Sequence, residues 1–433
     1  MRTSFLALLA LSSPLTHADD ALWLERVTVI HEHQGEATGD IYGWIARNLG
    51  DVDGDAIDDY STSAPFKTID GVAQTGKIYT YSGRTGQLLW EAQGKPGAFL
   101  GVGIGEAGDV NSDGIPDVVV GAPGARETYV YSGDDGRVLL TLEQPIEHVF
   151  FGRKVMGVGD VNDDGHDDLL LGSPGVQPQQ DATHEFHPGA AFLYSGKDGQ
   201  LLATLTGEEP GDNFGQSVAG GMIDGVPHLL VGAGNAGPGD RGTMYIYTFE
   251  GGRATLREAI VGDEKDVNFG WMFTSLVGDI DGDGAQDIYT TDWNSARAGT
   301  GAGRIAIYSG RTLEILHDID GQDAGENFGI GTCETGDLDG DGCDDFAIGA
   351  WQNSDGAENA GKVYVYSGKS GELLNTITST VAGETFGFDV TDLGDVDGDG
   401  TLDLLITSGY SPANGQRSGR VWVVSSGVSN PHK

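Results

Sequence analysis

The sequence predicts an all-β chain, a seven-bladed β-propeller of four-stranded blades in which an N-terminal strand closes the last blade. Three observations lead there. A large apolar residue followed by glycine recurs seven times, at Tyr42-Gly43, Leu100-Gly101, Phe151-Gly152, Phe214-Gly215, Phe269-Gly270, Phe328-Gly329 and Phe386-Gly387, with the glycines 51 to 63 residues apart. The same parts follow each pair in the same order. Helical periodicity is missing almost everywhere, whereas short period-two runs bounded by turn residues are frequent. A single blade cannot bury both of its faces, but blades stacked around an axis can.

Each unit reads as follows. A short mixed segment after the pair forms the first strand. An acidic loop follows, then an apolar run such as Val118-Val119-Val120 or Leu404-Leu405-Ile406, ending in small residues such as Gly121-Ala122-Pro123. An alternating strand comes next (Lys77 to Tyr81, Lys362 to Tyr366), then a Ser-Gly turn and a last strand such as Gln87-Leu88-Leu89-Trp90. The seventh unit stops after its third strand, Arg420 to Ser425, and residues 22–30 (LWLERVTVI) are expected to supply the fourth. His31 and His33 would then lie just beyond the closing strand.

The chain has 433 residues with 66 acidic and 24 basic side chains, a net charge of −42. Such a surface repels nucleic acid and anionic lipid and attracts cations. At the N-terminus, Arg2, the apolar run Phe5 to Leu11 and Thr16-His17-Ala18 read as a cleaved signal peptide over residues 1–18, too short to span a bilayer. Residues 19–433 would form one propeller, secreted, periplasmic or at the cell surface, with no membrane insertion. Export permits a disulfide between the only cysteines, Cys333 and Cys343, and two free thiols are an equal alternative.

The acids concentrate in six loops of the form Asp-x-Asp/Asn-x-Asp-Gly-x-x-Asp. Their candidate side-chain ligands are Asp51, Asp53, Asp55 and Asp59 in unit one; Asp109, Asn111, Asp113 and Asp117 in unit two; and Asp160, Asn162, Asp164 and Asp168 in unit three. Unit five offers Asp279, Asp281, Asp283 and Asp287, unit six Asp337, Asp339, Asp341 and Asp345, and unit seven Asp395, Asp397, Asp399 and Asp403. Alternate residues of a tight loop can converge on one ion, and oxygen-only donors in flexible geometry suit Ca²⁺ over Mg²⁺ or Zn²⁺. Backbone carbonyls at the seventh position (Ile57, Ile115, His166, Ala285, Cys343, Thr401) would add a further oxygen. Five loops carry glycine at the sixth position and the first carries Ala56, where strain is expected. The fourth unit is shortened to Met222-Ile223-Asp224-Gly225-Val226-Pro227-His228 and should hold no ion. About six Ca²⁺ sites are therefore expected. EF-hands are excluded, because flanking helices and a glutamate at position twelve are absent.

The recurring order of aromatic-Gly, Asp loop and Gly-Ala-Pro resembles the FG-GAP repeat of the integrin α-chain propeller, over nearly all of residues 22–426. The resemblance implies that the acidic loops join the first and second strands of a blade on the lower face, that their calcium is mainly structural, and that partners are met by upper-face loops. Six intact loops are more than is usual in integrins. Neither leg domains nor a membrane helix follow the repeat, so the expectation is a secreted bacterial-type protein rather than a receptor.

Other side chains carry less. Trp293, Trp351 and Tyr410 follow the small-residue turns of three consecutive units and are candidates for partner binding, with packing between blades as the alternative. The insertion of unit three, residues 175–189, holds His184, Glu185 and His187, a candidate metal site or a solvated loop. The serines of the Ser-Gly turns (Ser82, Ser132, Ser195, Ser309, Ser367) read as turn formers, and neither Gly-x-Ser-x-Gly nor His-Glu-x-x-His occurs. The leading expectation is a calcium-stabilised binding or adhesion module for an extracellular protein or glycan. The alternatives are a polysaccharide lyase or hydrolase on the same scaffold, and a quinoprotein-like dehydrogenase suggested by Ser-Gly-Arg-Thr-Gly-Gln-Leu-Leu-Trp but opposed by the acidic loops.

Overall fold

The computed structural model describes residues 22–145, 150–175 and 188–428. All of its regular elements are strands, arranged as seven four-stranded antiparallel sheets. Six blades are consecutive in sequence. In blade 1 the strands run from the inside outward as Ala46–Gly50, Asp59–Ala64, Lys77–Tyr81 and Leu88–Gln93. Blade 7 takes Val390–Asp392, Asp403–Ser408 and Arg420–Ser425 from the C-terminal end and its outer strand, Val29–Gln34, from the N-terminal end.

That closing strand differs from the expected one. It begins at Val29, pairs with Val424 to Arg420, and contains His31 and His33. The apolar residues ahead of it serve blade 6 instead. Leu24 N–H donates to Thr378 O and Thr380 N–H to Leu22 O, while Trp23 is buried edge-on against Phe386 and Trp422. Trp23 is more stable inserted in an apolar seam than laid along an outer edge, although Leu24 beside it stays exposed, so the strand starts where the alternation with polar residues starts.

The core consists of seven apolar clusters, each spanning one pair of neighbouring blades. The second strands of all blades but the fourth are buried along their whole length. The repeat motifs build the seams between blades. The large apolar residue of each pair is buried, and the following glycine sits at φ between 75° and 94°, a conformation that side-chain-bearing residues avoid. In blade 2 the N–H of Gly101 donates to Gly121 O. Gly121 in turn lies against Gly152 of blade 3 so closely that a Cβ on it would stand 1.8 Å from that carbonyl oxygen. Blades 3, 4 and 6 repeat this contact at Gly172, Gly232 and Gly349. The motifs therefore recur because backbone packs on backbone across each seam.

Candidate cation loops, aromatic face and axial channel

All six acidic loops join the first strand of a blade to the second, and the ninth-position aspartates (Asp59, Asp117, Asp168, Asp287, Asp345, Asp403) open the second strand. The first aspartate of each loop caps the turn. Asp51 accepts from the N–H groups of Gly54, Asp55 and Ala56 at 2.7, 3.0 and 2.8 Å. Asp337 and Asp395 repeat that pattern, and Asp109, Asp160 and Asp279 accept from two N–H groups each. At the sixth position Ala56 holds φ 67° where the other loops place glycine at 85–90°. The N–H groups of Ile57, Ile115, His166, Ala285, Cys343 and Thr401 donate to the fifth-position carboxylates.

Carboxylate oxygens of Asp51, Asp53 and Asp59 lie within 4.8 Å of one another, as do those of Asp279, Asp281 and Asp287, of Asp337, Asp339 and Asp345, and of Asp395, Asp397 and Asp399. Loops 2 and 3 present asparagine at the third position. Asn162 Oδ1 is buried without a hydrogen-bond partner, as is Asp403 Oδ1. Oxygen-only donors with orphaned buried oxygens fit a hard cation. Not every expected ligand converges: Asp55 is drawn to the guanidinium of Arg84 at 2.7 Å. Burial pushes the ninth-position carboxyls up, to about 6 for Asp59, Asp168, Asp287 and Asp345, about 7 for Asp117 and about 8 for Asp403. Asp403 lacks a donor that the others have. In five blades the Ser-Gly glycine N–H donates to this aspartate, but the outer strand of blade 7 arrives from the N-terminal end, and the N–H of Gly427 in the Ser426-Gly427 pair donates to Ser425 Oγ instead. Blade 4 bypasses the loop with a tight hairpin, Phe214–Ile223 to Val226–Ala233, and Asp224 in its turn pairs with Arg311 at 2.7 Å.

Two features escaped the sequence reading. The eighth-position aspartates link neighbouring loops: Asp167 accepts from Asp109 N–H at 2.7 Å and Asp344 from Asp279 N–H at 2.8 Å. The identical spacing of all the acids hides which of them faces a neighbour. The Ser-Gly turns, legible as turns, also prove to be joints between blades. Ser82, Ser309 and Ser367 accept from the N–H three residues on, as turn formers do.

The aromatic-Gly pairs and the small-residue turns lie at the opposite ends of these strands, so they form the other face. There Trp44, Phe66, Phe388, Trp351 and Tyr410 make a continuous chain with ring centroids 5.4–5.8 Å apart. Trp293 pairs with Trp271 at 6.2 Å, and Arg417 covers Tyr410 at 5.1 Å. Trp293, Trp351 and Tyr410 are each half-buried. The indole N–H groups of Trp271, Trp293 and Trp351 are buried and have no acceptor among the described residues. Trp351 and Tyr410 are thus brought together, whereas Trp293 belongs to a separate pair.

First strands of all seven blades surround an axial cavity of about 360 Å³, into which Arg47, Glu106, Lys154, Glu334, Asp389 and Asp392 project. Arg47 pairs with Asp389 at 2.9 Å. Burial pushes the carboxyls of Glu106 and Glu334 up to about 7 and the Lys154 amine down to about 7. Cys333 lines the same cavity while Cys343 sits in the loop of blade 6, beside Gly282 of blade 5. Pointing into different surroundings, the two thiols are free, and the disulfide alternative is not realised. His31 and His33 are structural: His31 Nε2 contacts Gly83 O at 2.7 Å, and His33 stacks on Tyr81 and bonds Tyr60 at 2.8 Å. His184, Glu185 and His187 lie outside the described residues, as do residues 1–18. Among the described residues no helix is long and apolar enough to cross a membrane.

Comparison with known proteins agrees with this architecture. The FG-GAP repeat model matches residues 104–140, 334–366 and 390–424. Mouse integrin alpha-2 is 33% identical over 168 residues, 34% of this chain and 14% of that protein. Integrin alpha-5 of Xenopus laevis is 29% identical over 227 residues, 48% of this chain and 21% of its own length. Rat phosphatidylinositol-glycan-specific phospholipase D is 30% identical over 173 residues, 36% of this chain and 20% of that protein. The matched regions thus cover about a seventh to a fifth of these relatives. Fold, repeat motifs and similarity converge: the chain is a seven-bladed β-propeller that carries FG-GAP repeats and is similar to integrin α-chains.

Proposed function

We propose that the protein is an exported binding or adhesion module that meets an extracellular protein or glycan through its aromatic face, with Ca²⁺ in six loops on the opposite face holding the ring together. The observation that carries this reading is the division of labour between the faces. One face gathers carboxylates in loops tied to the strand framework, and the other offers stacked, half-buried aromatics. The seventh-position carbonyls complete each coordination sphere. The likeness to integrin α-chains supports an extracellular binding role.

Two measurements test the two halves. Calorimetric titration of chelator-treated protein with Ca²⁺ should give about six sites, with Asp279→Asn and Asp337→Asn each removing one. A screen against extracellular proteins and glycans, repeated with Trp351→Ala and Tyr410→Ala, should find a ligand whose affinity falls at least about tenfold in either variant. Undiminished binding in both variants would remove the aromatic face from the proposal and leave the loops untouched.

A further inference from the structure

The axial channel holds charges that the fold does not use. Arg47 and Asp389 neutralise each other. Lys154 makes neither hydrogen bond nor ion pair among the described residues, and its ammonium rests over Phe273 at 4.4 Å. Its neighbour Arg153 lines a separate small apolar pocket beside Trp44 and Phe388 and not the channel itself. Deeper in, Glu106 is unpaired, Glu334 accepts the N–H of Gly278, and Asp392 adds a third carboxylate.

Outside the Arg47–Asp389 pair, the charges are sorted along the axis. Glu106, Glu334 and Asp392 each stand three residues before the first aspartate of their loop, whereas Lys154 stands six before Asp160, level with Asp389, which Arg47 engages. At a rise of about 3.3 Å per residue the cationic level lies roughly 10 Å above the carboxylate level. Unpaired charges inside a low-dielectric channel destabilise the fold. In a chain of net charge −42, a channel lysine with no ion pair of its own among the described residues is conspicuous.

We propose that the axial channel binds a small linear zwitterion, its carboxylate held by Lys154 and its ammonium by Glu106, Glu334 and Asp392. An ω-amino acid and a short peptide share this chemistry. The cavity falls within the size range of about 300–1,000 Å³ common to small-molecule sites. A simple anion would meet the lower carboxylates and a simple cation would leave Lys154 unpaired, so neither satisfies both levels. The displaced proton affinities of Lys154, Glu106 and Glu334 agree with sites awaiting an opposite charge.

The test is calorimetric and NMR titration of the Ca²⁺-loaded full chain with 6-aminohexanoate, hexanoate and hexylamine, with triglycine as the peptide arm. The zwitterion should bind at least about tenfold more tightly than either singly charged analogue, and Lys154→Met and Glu106→Gln should each lose about tenfold or more. Lys154→Arg should retain binding, which guards against loss through misfolding. Preference for triglycine over 6-aminohexanoate would identify a peptide ligand within the same proposal. Absence of binding by both zwitterions at high millimolar concentration, or hexanoate binding equally well, would overturn it.

Discussion

Two single residues show how the environment decides what a side chain contributes. Ala56 occupies the left-handed region that five sister loops reserve for glycine, at φ 67°. The Cβ strain there is about 1 kcal/mol, so Ala56→Gly should raise stability by up to that amount and tighten Ca²⁺ binding at loop 1. Chemical denaturation with and without Ca²⁺ reads both. Lys154 illustrates the opposite situation. Its amine titrates at about 7 in the folded chain against 10.5 when unfolded. Between those values the unfolded state binds more protons, so this residue's contribution to stability rises with pH. Below pH 7 the full desolvation penalty applies, and above about pH 10.5 it vanishes. Lys154→Met should therefore stabilise the fold by on the order of 1 kcal/mol at pH 6 and hardly at all at pH 10.5. Equal stabilisation at the two pH values would contradict the assignment. The loop aspartates were legible from sequence because their spacing repeats, whereas Lys154 was not, because its meaning depends on six other blades meeting it at the axis.

At the scale of the element, the Ser-Gly turn has a role beyond reversing the chain. In blade 1 the Gly83 N–H holds Asp59, while Gly83 O accepts from His31 on the outer strand of blade 7. Gly133 O accepts from Trp90 Nε1 at 2.7 Å, Gly310 O from Arg257 at 2.9 Å and Gly368 O from His317. Trp90, His317 and His31 each occupy the third position of their outer strands. A chain of contacts thus runs from acidic loop to turn to neighbouring blade. Leu140 and Ala203 occupy the third position in blades 2 and 3, and neither side chain can donate. This joint could not be read from sequence, since tryptophan, histidine and arginine share no pattern except an N–H reaching across a seam. The strands themselves were readable, their alternation being local, but the closing strand was placed several residues early because apolar content alone does not fix register. Trp90→Phe should keep the stacking on Tyr131 and lose the bond, lowering stability by about 1 kcal/mol. Gly133→Ala should be far worse, since its Cβ would stand 2.0 Å from Pro116 O. Denaturant unfolding of both variants orders the two effects, and a neutral Gly133→Ala would refute the joint.

Over the whole molecule, stability depends on closing a ring whose lower face is crowded with carboxylates. Closure comes from the N-terminal strand in blade 7, and the loops lie against one another through Asp167 and Asp344. Each site occupied at tenfold above its dissociation constant adds about 1.4 kcal/mol, so six together rival the stability of an ordinary domain at about 5–15 kcal/mol. Protons compete with the cation. The ninth-position carboxyls titrate at about 6 to about 8 when buried without an ion, against 3.8 in the unfolded chain. Between those values the folded, ion-free state binds more protons than the unfolded state, so its stability falls as pH rises. A bound cation replaces those protons and removes the penalty, an effect largest where the carboxyls would otherwise be ionised. Calcium should therefore raise the melting temperature on the order of 10 °C at pH 8 and distinctly less at pH 5. Differential scanning calorimetry in EGTA and in millimolar Ca²⁺ at both pH values measures the difference directly. A calcium-induced gain equal at pH 5 and pH 8 would mean that the ion does not bind at these buried aspartates, and no gain at either would remove calcium from the architecture of the ring.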